Sequence, residues 1–416
     1  MHYVTTYDVG DRKRSQDGIN EDSVAVTTLE GGHREGFSPP GTDVSPTYDT
    51  AAASPTVHGP RDTPDDTTET AETSGDEPTA EDQSRVENEA TDVFTVGDER
   101  QTRPRNRDAG IFVLADGAGG EQAGDIASYI ATTVVTEELS GPVHRACRRR
   151  TDGFGLDVDE GAFGDPPDAA ALETAITEAA VAANEAIVEY ARKANLGGLY
   201  TTLVVGVKIG RQLHYGWIGD SRLYVVNGSH EEIAALTKDH AKVTRWEDEG
   251  RIDAVEAHVH PEGNEISSAL GGGADTTIDE AAARAERDVE TNTVPLYRED
   301  QILLTSDGLI DAQTDAMELY RRYVGSDHDP EVAEEVLDAV VTDELIRDVV
   351  LEADTLRDAA DRFVTLSNEK GGKDNISIVL VSDDKLPAAP DPDESGLPTR
   401  AVDPTTPLED RDTVVR

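Results

Sequence analysis

An α+β fold, with antiparallel sheets and helices packed outside them, is what this sequence predicts, and three observations carry it. The β-rich segments come in runs and do not alternate strictly with helices. Three of them, Thr201–Ile209, Gln212–Ile218 and Arg222–Asn227, are separated only by the turns Gly210–Arg211 and Gly219–Asp220–Ser221. Spacing that tight makes an antiparallel meander. Short apolar runs, Ile111–Ala115 foremost, also stop abruptly at glycine, the pattern of a strand buried on both faces.

In chain order, Tyr3–Tyr7 and Ser23–Thr28 carry β-branched and aromatic residues at strand density, around the charged turn DRKRSQDGINED. Residues 30–108 are dominated by Pro, Thr, Ser, Gly, Asp and Glu. They cannot bury enough apolar surface to offset their ordering entropy, so a disordered acidic insertion is expected there. It is expected to be a tolerated surface insertion within one domain. Ile111–Ala115 is the buried strand. Glu121–Leu139 has helical spacing in Ala123, Ile126, Ala127, Ile130 and Val134. Residues 140–167, rich in Gly, Asp and Arg, read as a loop that holds Cys147. Asp168–Ala194 is a second amphipathic helix, with Leu172, Ile176, Ala179, Ala183 and Ile187 on one side.

After the meander, Val243–Glu249 is a short helix. Residues 253–298 read as irregular, with a polar strand near Thr276–Asp279. Gln301–Ser306 is another buried strand, helical pieces fill 312–323, 330–351 and 353–369, and Ile376–Ser382 is the last core strand. Residues 385–416, rich in Pro and Asp, are expected to be a disordered acidic tail, leaving 1–384 as the folded domain.

Composition narrows the function. The 416 residues carry a formal net charge of −49 and only eight lysines. No domain-wide basic face is available, which disfavours nucleic acid and anionic membranes as partners. Such an acid-rich, lysine-poor chain suits a cytoplasm at very high salt, where a Debye length of roughly 3 Å screens the self-repulsion. Cys147 is the single cysteine, so no intramolecular disulfide or cysteine-based zinc site can form. No run of about 18 apolar residues is present to span a membrane, and the N-terminus lacks a signal pattern. A cytoplasmic protein is expected.

The chemistry is expected at the strand ends. Asp116 in ADGAGG, Asp307 in SDG and Asp374 in KDN each stand beside Gly or Asn. Glu21–Asp22 in NED opens a strand, and Asp220 in GDSR sits in a hairpin turn. Singly, each is an ordinary turn residue. Gathered without nearby Lys or Arg, they would repel one another, and a cation would stabilise them. Carboxylate and carbonyl oxygens suit Mg²⁺ or Mn²⁺. Two such ions sharing Asp116, about 3.5–4 Å apart, would activate a water for in-line attack on a phosphate ester.

The ordered set resembles the metal-dependent Ser/Thr protein phosphatases, type 2C or PPM, in their compact bacterial-like form. The stretches that carry the resemblance include NEDS at 20–23, LADGAGG at 114–120, GGLYTTLVVGV at 197–207, WIGDSRLYVVNG at 217–228, HPEGNEISSALGGG at 260–273, DQILLTSDGLID at 300–311 and GGKDNISIVLV at 371–381. The resemblance implies a four-layer αββα sandwich of two antiparallel sheets flanked by helices. It also implies hydrolysis of phosphoserine and phosphothreonine monoesters by a hydroxide bridging two Mn²⁺ or Mg²⁺ ions, with a looser third ion. Asp116 would bridge both metals and the carbonyl of Gly117 would complete one shell. Asp307 and Asp374 would bind the other metal. Glu21 and Asp22 would hold metal-bound waters, Asp311 would assist, and Asp220 with Asp307 would take the third ion. Asn375 would orient the loop, with Ser306 and Gly308 shaping it. The 236–273 stretch, with Asp239, His240 and Asn264, resembles the segment around the flap where protein substrates are distinguished. Phosphorylated proteins and an opposing Ser/Thr kinase are the implied partners, and a monomer is expected.

Two departures from the family pattern stand out. The phosphate-gripping Arg usually lies three residues before the NED Asn, a position held here by Asp17; Arg14, with Arg12 behind it, is the nearest replacement. Ala118 follows Asp116–Gly117 where relatives carry His or Met, so a water or another group, His240 and His260 among the candidates, must protonate the leaving oxygen. Two alternatives differ in class. A pseudo-phosphatase acting as a regulatory binding module would show no Mn²⁺ binding, and a metal nuclease would cleave nucleic acid.

Overall fold

Strand alternation sorts the apolar residues into layers. The computed structural model describes residues 1–16, 18–29, 93–96, 99–102, 108–118, 124–147, 166–273, 275–392, 396–400, 402–408 and 411. The elements in order are β1 (His2–Asp8), α1 (Asp11–Ser15), β2 (Asp22–Leu29), β3 (Val93–Val96), β4 (Glu99–Thr102), β5 (Ala109–Ala118), α2 (Gly124–Cys147) and α3 (Ala169–Ala194). Then come β6 (Gly198–Thr201), β7 (Leu203–Ile209), β8 (Gln212–Ile218), β9 (Arg222–Asn227), β10 (Glu232–Ala235), α4 (Lys242–Asp248), α5 (Ala254–Val259), β11 (Leu270–Gly273) and α6 (Ile278–Asp288). The chain closes with β12 (Glu290–Pro295), β13 (Asp300–Thr305), α7 (Ala316–Gly325), α8 (Pro330–Ala339), α9 (Asp343–Glu352), α10 (Leu356–Lys370) and β14 (Ile376–Ser382).

One sheet runs β1-β14-β13-β9-β10; the other runs β11-β6-β5-β7-β8-β12, with β2 also paired to β5. Every pairing is antiparallel. Phe112 and Leu114 of β5 point between the sheets with Tyr215, Trp217, Val225, Leu304 and Val379. Their neighbours Ile111, Val113 and Ala115 face outward onto α2 and α3, against Ala127, Ala131, Val135, Ile176 and Ala183. On the far side, Tyr224, Leu303, Ile378 and Leu380 meet Ile346, Val350 and Phe363 of α9 and α10. The order of layers is therefore helix, sheet, sheet, helix, as the sequence predicts. Among the described residues no helix is long and apolar enough to cross a membrane.

Several expectations change. The Thr201–Ile209 strand breaks in two at Thr202, whose N–H donates to the Asp116 carbonyl at 2.8 Å. The helix after β5 runs on to Cys147 where a loop was expected. Gly141 and Pro142 weigh against a helix there, at helix-interior costs of about 1 and about 3 kcal/mol. Burial of Leu139 and Val143, about 1.5–3 kcal/mol each, offsets them. Cys147 is thus a buried helix-end residue. The expected loop at 148–165 and residues 121–123 of the expected helix lie outside the described residues.

Residues 276–279 are not a strand. Thr277 caps α6 in a reciprocal box, its hydroxyl accepting from the Glu280 N–H at 3.2 Å while the Glu280 carboxylate accepts from the Thr277 N–H at 3.0 Å. The helical stretch at 330–351 is two helices, α8 and α9. Within the expected insertion at 30–108, β3 and β4 form an antiparallel hairpin pairing Val93 with Thr102. Most of the remainder of that insertion lies outside the described residues.

The C-terminal segment also departs from expectation. Its described residues contribute buried Leu386, Arg400, Leu408 and Arg411 to the same compact unit as the sandwich. Composition hid this because the anchors are sparse. Arg400 pairs with Asp300 at 3.0 Å and Arg411 with Glu290 at 2.5 Å, both pairs buried. Ion pairs of that kind fix a segment that has little apolar surface to bury.

Candidate metal centre and phosphate site

The strand register brings the acids to one end of the two sheets. Asp22 opens β2 and Asp116 lies near the end of β5, directly opposite one another in the antiparallel pairing. Asp307 follows β13, Asp374 precedes β14, and Asp220 sits in the turn between β8 and β9. The Ser306 hydroxyl bridges the sheets by donating to Asp22 Oδ2 at 2.8 Å, and it accepts from the Ser377 N–H at 3.0 Å. The Asp116 backbone is held on both sides, its N–H donating to Thr202 Oγ1 at 2.9 Å and its carbonyl accepting from Thr201 Oγ1 at 2.8 Å. At Gly117 a Cβ would lie 2.1 Å from the Gly124 carbonyl oxygen, so only glycine lets β5 run so close to the start of α2.

Asn375 organises the opposite wall. Its Oδ1 accepts from the Glu21 N–H at 2.8 Å, and its Nδ2 donates to the Ile19 carbonyl at 3.1 Å. The 8–15 segment docks on the same loop. Gly10 has φ +78°, and a Cβ there would meet the Asp374 carbonyl oxygen at 2.3 Å.

Burial and mutual repulsion dominate the electrostatics of the buried acids. Burial, helped by the Asp374 charge, pushes Asp22 up to about 6, against hydrogen bonds with Ser377, Ser306 and Asp116 that lower it. Burial, then Asp239 and Asp311, push Asp220 up to about 7. Asp116 and Asp307 rise well above the usual carboxylate range, first through burial and then through the nearby acids, and Asp311 rises through burial. Asp116 is in carboxyl-to-carboxyl contact with both Asp22 and Asp307. Asp22 Oδ1 and Asp307 Oδ1 are buried with no hydrogen-bond partner. These bare oxygens, with an all-oxygen donor set, fit hard divalent cations. Among the described residues no three acid, histidine or cysteine side chains close on one point as a ready-made cage.

A side chain that the sequence reading passed over lies here instead. Lys13 Nζ donates to Asp374 Oδ1 at 2.6 Å, Asn375 Oδ1 at 2.7 Å and Glu21 Oε2 at 2.9 Å. Burial alone would lower its pKa, but the bonds and charges of Asp374 and Glu21 outweigh burial and raise it. Arg14 faces another way. It makes two 2.7 Å bonds to Asp8 and one to Asp11, and is half exposed. The signal was legible, since Asp11 precedes Arg14 by one helical turn. Asp17 lies outside the described residues.

The flap-like residues are also placed. Arg222 grips Asp239 through two nitrogens, at 2.9 and 2.7 Å, and Asn264 Oδ1 accepts from Lys373 at 3.2 Å. His240 is fully buried, and burial followed by the Arg411 charge holds its pKa well below the ordinary value. It is neutral at pH 7 and does not fit the proton-donor role. The ring of His260 packs edge-on to Trp246 and Tyr320, at 5.1 and 5.0 Å. A small cavity beside Lys208, Asp300 and Asp383 lies at the other end of β13 and β14 and is separate from these acids.

Raised carboxylates give the metal-free protein a defined pH response. Asp22 and Asp220 hold protons in the folded state up to about pH 6 and 7, but lose them near pH 4 when unfolded. The folded form binds the extra protons across that window, so its stability falls as pH rises from about 4 to 7. In EDTA, Tm is expected to be several degrees lower at pH 7.5 than at pH 5, and Mn²⁺ should abolish the difference. A flat pH response in EDTA would contradict the burial of these acids.

Buried carboxylates gathered at the strand ends of an αββα sandwich are the arrangement expected of a metal-dependent hydrolase. More narrowly, the chain belongs to the protein phosphatase 2C family, whose sequence profile matches residues 98–340, more than half of its length. It is 26% identical over 304 residues to the serine/threonine phosphatase stp of Listeria monocytogenes, covering 73% of this chain and 94% of that one. It is 30% identical over 274 residues to the serine/threonine protein phosphatase PstP of Mycobacterium tuberculosis, covering 65% of this chain and 40% of PstP. The crystal structure of Mycobacterium tuberculosis PstP/Ppp is similar with a TM-score of 0.45 at 24% identity, over 71% of this chain and 92% of that one.

Proposed function

We propose that this protein is a metal-dependent phosphatase that hydrolyses phosphoserine and phosphothreonine in proteins. Family membership supports the reaction class. The observation that carries the site is the set of buried, mutually contacting carboxylates with bare oxygens at Asp22 and Asp307. Asp116, the Gly117 carbonyl, Asp307 and Asp374 would hold two Mn²⁺ or Mg²⁺ ions. Glu21, Asp22 and Asp311 would support them, and Asp220 would serve a looser third. Bound there, divalent cations would lower the pKa of water and neutralise phosphate oxygens.

The chain's own residues do the rest. Ser306 fixes Asp22, Thr201 and Thr202 fix the backbone at Asp116, and Asn375 ties the Glu21 strand to the Asp374 loop. Lys13, not Arg14, is the cation this reading assigns to the phosphate, because it already reaches Asp374 and Glu21 while Arg14 is engaged by Asp8 and Asp11. A kinase must supply the esters that this enzyme consumes. The proposal extends to a cytoplasmic monomer.

The test is phosphate release from a phosphoserine peptide at high KCl. Turnover should require Mn²⁺ or Mg²⁺ and stop in EDTA, and a single turnover in ¹⁸O-water should place the label directly in phosphate. Undiminished turnover in EDTA would overturn the reading.

A further inference from the structure

The C-terminal segment reaches back to the substructure that carries Asp220. Thr405 donates to Glu290 through its N–H and hydroxyl, at 2.8 and 2.5 Å, and the Thr406 hydroxyl donates to the Arg287 carbonyl at 3.0 Å. Leu408 is buried. Arg411 then ends the described segment at 2% exposure. Its Nη2 pairs with Glu290 at 2.5 Å, while its Nη1 shares its two N–H groups among Ser268 Oγ at 2.8 Å, the Asp288 carbonyl at 3.1 Å and His240 Nδ1 at 3.2 Å. One planar guanidinium thereby ties together β12, the end of α6, the approach to β11 and the segment after β10.

His240 passes that anchorage to Asp220. Its N–H donates to the Gly219 carbonyl at 2.9 Å, and the Gly219 N–H donates back to His240 Nδ1 at 3.2 Å. The His240 carbonyl accepts from the Ser267 N–H at 2.7 Å and hydroxyl at 2.9 Å. Gly219 is the residue before Asp220, and the turn is further held by Ser221 Oγ against Thr202 Oγ1 at 2.6 Å. A nitrogen that accepts from both Arg411 and Gly219 fixes the imidazole as the neutral tautomer, protonated at Nε2.

We propose that Arg411 is a positioning residue, and that the C-terminal segment is an intramolecular latch holding the 219–221 turn and the 266–269 segment in place through His240. Asp220 is thereby presented at fixed height to the acidic site. The latch stands on this geometry alone. Only its consequence for a metal at Asp220 rests on the function proposed above.

The test compares full-length Arg411→Gln and Arg411→Lys with wild type. Amide hydrogen exchange in the metal-free protein is the first readout. Arg411→Gln should lose about tenfold or more protection at Gly219 and Ser267, with the β5 and β14 amides unchanged. Arg411→Lys keeps the charge on Glu290 but cannot span Ser268, Asp288 and His240 together, so an intermediate loss is expected. Mn²⁺ titration is the second readout. The weakest class of sites should weaken severalfold in Arg411→Gln while the tight class is unchanged. Loss of protection confined to 400–408, with Gly219 and Ser267 as in wild type, would overturn the latch. If Arg411→Gln unfolds, wild-type protection at both amides in Arg411→Lys would overturn it equally. Failure of wild type to bind Mn²⁺ would count against the metal reading and leave the exchange result to decide the latch.

Discussion

Asp116→Asn is expected to lower kcat by about a thousandfold or more and, in the same protein, to raise the metal-free Tm. The two effects have one cause. Asp116 touches Asp22 and Asp307, and burial with their repulsion holds its carboxyl far above the usual range. Asparagine keeps the shape and cannot ionise, so the metal-free core loses a source of strain, and the anionic oxygen that the proposed site has two metals share would be gone. Losses of about a hundred- to a thousandfold accompany removal of a single electrostatic stabiliser in other active sites, and a residue serving two ions should exceed that. Stopped-time phosphate release and a thermal melt in EDTA check both halves. Full activity in Asp116→Asn would remove the proposed site, and a lower Tm would mean that the loss of activity reflected misfolding.

Lys13→Met is expected to cut kcat/KM about ten- to a hundredfold while tightening Mn²⁺ binding. The ammonium bonds to Asp374 at 2.6 Å and Glu21 at 2.9 Å, so it competes with any cation that needs those oxygens. Once displaced from them, it is free for the substrate phosphate. A hydrogen bond to a charged group contributes about 1.5–3 kcal/mol, which corresponds to the stated loss. Arg14→Ala should stay within about twofold of wild type, because Arg14 is exposed and committed to Asp8 and Asp11. Calorimetric titration with Mn²⁺ and peptide kinetics separate the two effects. Arg14→Ala as damaging as Lys13→Met would return the phosphate to Arg14.

Apolar runs and glycine stops were enough to place β5, β8, β9, β13 and β14, because a strand buried on both faces leaves a contiguous mark in the sequence. The acids were legible for a related reason, each standing at the start or finish of such a run or in the turn beside it. Less legible was what depends on tertiary contact. Leu139, Val143 and Ala146 keep α2 helical past Gly141 and Pro142 only because a core lies beneath them. Thr277 and Glu280 carried a readable capping box that the surrounding polar residues masked. Arg400 and Arg411 sit among prolines and aspartates, and nothing local reveals that Asp300 and Glu290 await them. The choice between Lys13 and Arg14 turned on the phase of one short helix, which Gly10 and the 371–375 loop set from outside.

The pairing of β1 with β14, His2 to Ser382 through Asp8 to Ile376, has a consequence for biosynthesis. Lys13, Glu21 and Asp22 emerge from the ribosome long before Asp374 and Asn375. A nascent chain still lacking β14 holds Glu21 and Asp22 with no scaffold to place Asp374 beside them. Dephosphorylation can therefore begin only once the chain has been made through β14, which keeps a half-made phosphatase silent.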